Sequence, residues 1–136
     1  MNDISSPTDS PVRFSRWVFR IAGTLGFFQI APLYFYESTL NRTDPPAITH
    51  PEWYYGFVGV TLAWQIAFLL IARDPRRYRP LLPALFVEKL LFPGAAYALY
   101  MEGRLRSPSI LASAALDLVW LALFVTAWVR LRAVTS

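Results

Sequence analysis

Four apolar stretches of about 20 residues each, roughly 17–36, 53–72, 81–101 and 109–129, decide what this chain can fold into. A helix rises about 1.5 Å per residue, so about 20 residues cross the ~30 Å hydrocarbon core of a bilayer. In lipid every backbone N–H and C=O must be bonded within the protein, which a helix achieves by itself. The stretches therefore predict an all-α integral membrane protein, a four-helix bundle. Composition points the same way. Hydrophobic residues make up 55% of the 136 and charged residues only 16%, too little charge to cover a water-soluble domain of this size.

The polar stretch 1–12, with Ser, Thr, Asp and two prolines, is expected to be a disordered cytoplasmic tail, leaving 13–136 as a single transmembrane domain. The first apolar stretch follows Arg13 and Arg16 as a secretory signal would. Arg20 interrupts it and no small-residue cleavage pattern closes it, so it is expected to stay as a helix. Glu37 to Glu52 forms the one long connection, with Asp44-Pro45-Pro46 and His50-Pro51, and should be extended or turn-like. Asn41-Arg42-Thr43 matches a glycosylation sequon, but twelve arginines against one lysine give the chain a bacterial character in which the match is a coincidence.

Arginines orient the helices. Arg13, Arg16, Arg20, Arg73, Arg76, Arg77, Arg79, Arg130 and Arg132 fall on one side, nine in all, against Arg42, Arg104 and Arg106 on the other. The positive-inside rule then puts both termini in the cytoplasm of a cell inner (plasma) membrane. Arg73, Arg76, Arg77 and Arg79 crowd the second connection and are candidates for anionic lipid headgroups. Trp17, Tyr34, Tyr36, Trp53, Tyr54, Tyr55, Tyr97, Tyr100 and Trp128 sit near segment ends, where aromatic belts form.

The chain has no cysteine, and His50 is its only histidine, in a proline-rich connection. Thiol chemistry, bis-histidine haem and histidine-rich metal sites cannot be built from one such chain. No cofactor, metal or nucleic-acid partner is expected.

What remains is a set of polar residues at membrane depth, where charge is costly and usually functional. Glu88 and Lys89 are the only charges of the third stretch, and Lys89 is the only lysine. Counted from the cytoplasmic edge, Gln65, Glu88 and Lys89 form a lower layer, and Gln29 and Asp117 an upper one about 8 Å away. Helical side chains lean toward their own N-terminus, which should widen that gap, so a Glu88–Asp117 carboxylate dyad is rejected. Lys89 is expected to snorkel toward the headgroups. Glu88 should face the interior with Ala84, Leu91 and Ala95, beside Gln65, and the Tyr97 hydroxyl could reach Asp117. Gly23, Gly26, Gly56 and Gly59 should let the first two helices approach closely, and Pro32 and Pro93 should kink the first and third.

The motif RDPRRYRPL at 73–81, the EKL at 88–90, the GR at 103–104 and the aspartate in the last stretch together resemble uncharacterised four-helix inner-membrane proteins of bacteria, broadly DoxX-like in layout. The resemblance spans about residues 17 to 132 and implies the helical layout; it supplies no catalytic residue. The leading functional expectation is non-enzymatic: binding of a small apolar or amphipathic molecule, or service as an accessory subunit. A proton-coupled small transporter working as a homodimer is the alternative, with Glu88 or Asp117 as carrier. A lipid-modifying enzyme, isomerase-like, with one of those carboxyls as acid or base is a third.

Overall fold

In the computed structural model, which describes residues 9–133, the chain is helical almost throughout. Five α-helices occur among the described residues: α1 (Asp9–Ile30), α2 (Glu37–Thr43), α3 (Pro51–Arg73), α4 (Leu82–Met101) and α5 (Pro108–Ala133). Four segments, Ser10–Phe35, Pro51–Arg73, Arg79–Met101 and Pro108–Ala133, are long and apolar enough to cross a membrane. Only 17–28% of the most apolar part of each is buried within the protein. Much of the remaining apolar surface, including Phe28, Trp53, Leu91 and Val119, is exposed, as suits contact with lipid. This is the all-helical, multi-pass membrane class that the four stretches predict.

Several boundaries differ from expectation. The first eight residues of the expected tail lie outside the described residues, but its last four, Asp9–Val12, already belong to α1. Pro32 ends α1 rather than kinking it: the helix stops at Ile30 and Ala31–Phe35 continues as a 3-10 helix. A proline in the second position of that turn has no N–H to offer the preceding carbonyls, so the tighter turn takes over. The long connection is not extended throughout. Glu37–Thr43 is helical until Asp44 and the two prolines stop it. Within it the Asn41 side chain accepts the Ile48 N–H at 2.7 Å.

α4 runs through Pro93 without interruption. It ends on Gly103, whose φ of +70° is the left-handed geometry a glycine adopts without strain. The Arg104 N–H reaches the Leu99 carbonyl at 2.9 Å and the Gly103 N–H the Tyr100 carbonyl at 3.0 Å. Those two bonds make a Schellman cap. The chain then turns through Leu105–Ser107 into α5, with Pro108 in the first helical position, where its missing N–H costs nothing.

The packing divides into two compact units, one of residues up to Val18 with Ile71 onward, the other Phe19–Leu70. In the second unit α1 and α3 pair antiparallel, with Phe19, Ala22, Val58, Gln65 and Phe68 buried and the Phe19 and Phe68 rings 6.5 Å apart. Gly23 and Gly26 permit the approach. A Cβ on Gly23 would lie 2.8 Å from the Gln65 backbone oxygen, and one on Gly26 would overlap the Gln65 side-chain oxygen. Gly56 differs from expectation, since open space surrounds it.

In the first unit α4 and α5 form an antiparallel hairpin. α4 buries Leu82, Leu85, Lys89, Pro93 and Ala96, a three-and-four spacing that makes one stripe. α5 answers with Ala114, Phe124, Ala127 and Leu131, with Asp117 and Leu121 on the same stripe. Phe86 meets Trp128 edge-on at 5.9 Å.

Candidate functional site

The stripe on α4 puts a lysine where apolar spacing calls for a core residue, and this creates the main polar site. Lys89 is buried, its side chain 7% exposed, and its Nζ donates to Asp117 Oδ1 at 2.9 Å and to Glu88 Oε1 at 3.3 Å. The two carboxyl side chains are 20% and 17% exposed. One ammonium therefore bridges two carboxylates from neighbouring helices.

Three expectations are overturned here. Lys89 does not snorkel; it is the interior member of the pair. Glu88 sits on the flank of the stripe, and its supposed companions Ala84, Leu91 and Ala95 are exposed. Lys89 of the expected lower layer and Asp117 of the upper one also meet. α5 has 26 residues and α4 has 20, so their far ends are not level and depth from that side is no common ruler. The shared turn is. Lys89 lies twelve residues before Met101 and Asp117 nine after Pro108, a difference of three residues or ~4.5 Å, well within the reach of a lysine arm. Rejecting direct Glu88–Asp117 contact left out the cation that joins them.

The cluster is not fully satisfied. Glu88 Oε2 is buried and has no hydrogen-bond partner. When all three groups are ionised, one positive and two negative charges leave an excess of one negative charge. Buried carboxylate oxygens without a partner are costly and point to a missing donor. Pro93 adds to the polarity of the place: it stands four residues after Lys89 and has no N–H to give the Lys89 carbonyl.

The other candidates have surroundings of their own. Gln65 is buried, donates from its amide to the Thr61 carbonyl at 3.0 Å, and turns its side-chain oxygen onto Gly26. It is structural glue between α1 and α3. Gln29 is exposed; Ile30, one position on, takes the inward-facing place. Tyr97 is 65% exposed and makes no hydrogen bond to Asp117. Among the described residues no three His, Asp or Glu side chains gather to hold a metal ion.

The Arg73–Leu81 connection is an ordered turn. The Asp74 side chain accepts the Arg77 N–H at 3.1 Å, the Asp74 carbonyl accepts the Tyr78 N–H at 3.2 Å, and Pro75 is fully buried. Arg76, Arg77 and Arg79 line a cavity of about 160 Å³ with Pro80 and Leu131, while Arg73 ends α3, exposed.

A second polar cluster was not anticipated as a unit. Tyr54 donates to the Leu33 carbonyl at 2.6 Å and Tyr55 to Glu37 Oε2 at 2.8 Å, with the Tyr34 ring stacked on Tyr55 at 5.9 Å. Gly59 leaves room for the Tyr34 hydroxyl, 3.1 Å from where a Cβ would stand. Residue type alone assigned these tyrosines to an aromatic belt. The signal for more was the pairing of adjacent tyrosines at the start of α3 with an acid just past the end of α1.

No family model matches the chain, and no curated protein or solved structure matches it.

Proposed function

We propose that this is a bacterial inner-membrane protein, both termini cytoplasmic, that holds a small amphipathic molecule by its polar head at Glu88. The partnerless Glu88 Oε2 carries the reading, with the excess negative charge that the cluster holds when all three groups are ionised. A head bearing an ammonium or hydroxyl supplies the donor that this oxygen lacks, and Lys89 and Asp117 fix the carboxyl that receives it. The apolar surface beside the cluster, Val87, Leu90 and Leu91, offers the tail its place. The nine-to-three arginine distribution supports the orientation, and the DoxX-like resemblance belongs to the same proposal as a statement about layout alone. The accessory-subunit reading, in which a partner helix in a homodimer or larger complex brings the donor, uses the same oxygen.

The test is native mass spectrometry of protein extracted gently from its own membranes. A small amphipathic adduct should accompany the natural chain and be absent from Glu88→Gln, whose Lys89–Asp117 contact remains to hold the hairpin. Equal adducts in both would sink the proposal. The same charge excess also favours a second reading, since a proton neutralises it as well as a ligand does. Uptake of ethidium into proteoliposomes, driven by a pH gradient and abolished by Glu88→Gln, would establish proton-coupled transport in its place.

A further inference from the structure

We infer that the Arg73–Leu81 turn, closed by the last turn of α5, is a binding site for a phosphate-type oxyanion, a site separate from the Glu88 cluster and independent of its function. Three arginines within four residues, Arg76, Arg77 and Arg79, line one cavity. Arginine presents planar donors that engage two phosphate oxygens at once, which a lysine cannot match.

The turn that presents them is fixed before any ligand arrives. Asp74 spends one carboxylate oxygen on the Arg77 N–H, the Arg79 N–H reaches the Arg76 carbonyl at 3.3 Å, and the Leu81 N–H reaches the Tyr78 carbonyl at 2.9 Å. Buried Pro75 pins the loop, and Arg79–Leu81 is a 3-10 turn leading into α4. A site set in this way loses little conformational entropy on binding. Asp74 is the only acid among four arginines in the connection, so the connection itself is strongly basic. Two more arginines lie beside Leu131 in α5, held against rings: Arg130 over Phe14 at 4.4 Å and Arg132 over Trp128 at 4.7 Å.

Cavity size and lining narrow the ligand. About 160 Å³ is well below the roughly 300–1,000 Å³ that encloses a whole small molecule, so the cavity takes a group rather than a molecule. Pro80 and Leu131 give it an apolar wall beside the three arginines. A phosphodiester on a glycerol backbone fits that combination, and so does a free phosphate.

The test uses the full chain in dodecyl maltoside micelles with equal dioleoylphosphatidylglycerol and dioleoylphosphatidylcholine, read by native mass spectrometry. The glycerol lipid should be retained about tenfold over the choline lipid. Arg76→Gln, Arg77→Gln and Arg79→Gln together should bring the ratio near one. Arg42→Gln, Arg104→Gln and Arg106→Gln, which remove as many charges elsewhere, should leave it unchanged. If the triple variant fails to reach natural helicity, Arg77→Gln alone should still lower the ratio about threefold, because Arg77 is exposed. Displacement of the lipid by millimolar inorganic phosphate identifies free phosphate as the ligand; retention against it identifies the headgroup. A preference that survives the cavity variants, or that the control set removes equally, overturns the site.

Discussion

Replacing Lys89 with methionine tests the bridged cluster most directly, because methionine keeps the length of the stem and deletes only the charge. At an effective dielectric near 20 the 2.9 Å contact to Asp117 is worth about 6 kcal/mol and the 3.3 Å contact to Glu88 about 5 kcal/mol before desolvation is charged against them. Removing one member of a buried pair costs about 3–5 kcal/mol net, because the remaining charge stays buried. Lys89→Met leaves two carboxylates without their cation and belongs at the upper end of that range. Asp117→Asn leaves Lys89 with Glu88 as its charged partner and should cost about 1–3 kcal/mol. Glu88→Gln should cost under about 1 kcal/mol, since the shorter Lys89–Asp117 contact persists and only one carboxylate charge is removed. The double variant Lys89→Met/Asp117→Leu should recover at least half of the Lys89→Met loss. Reversible unfolding in mixed micelles of rising dodecyl sulfate fraction, followed by circular dichroism, measures all four. Lys89→Met within about 1 kcal/mol of the natural chain, or Glu88→Gln as the worst of the set, would refute the bridge.

Further outcomes follow from the glycines and from Tyr54. Gly23→Ala and Gly26→Ala should each lose about 1–3 kcal/mol in the same unfolding assay, because the new methyl meets Gln65. Gly94→Ala, with nothing within 4 Å, should be neutral or gain up to about 1 kcal/mol. Tyr54→Phe deletes the 2.6 Å bond to the Leu33 carbonyl and should cost about 1–2 kcal/mol, with faster hydrogen exchange across residues 31–43.

The spans were legible because block length and backbone satisfaction leave helices as the only economical answer. The interior of the α4–α5 hairpin was legible too, in a pattern that charge obscured. Leu82, Leu85, Lys89, Pro93 and Ala96 follow helical spacing and name Lys89 as the inward residue. Weighing the ion by its solvation cost alone put it at the headgroups, where a long side chain would go if no carboxylate stood opposite. Asp117 was recognised as important, but its level was measured from ends that do not coincide. Gln65 was placed in the core correctly, yet a single sequence holds no sign of which neighbour an amide will choose. The turn at Arg73–Leu81 announced its charge, while the hydrogen bonds from Asp74 that make it a rigid platform depend on backbone angles that composition does not encode.

The Lys89–Asp117 contact joins residues 28 apart in sequence, and that separation matters while the chain is being made. α4 emerges first and carries two charges into the bilayer, each costing about 2.5–3.5 kcal/mol at the centre of a lone helix. Its neutralising aspartate is synthesised later, beyond the glycine-capped turn. α4 therefore gains its neutralising partner only once α5 has followed it, and the two should enter the membrane as one unit of biogenesis rather than as successive independent helices.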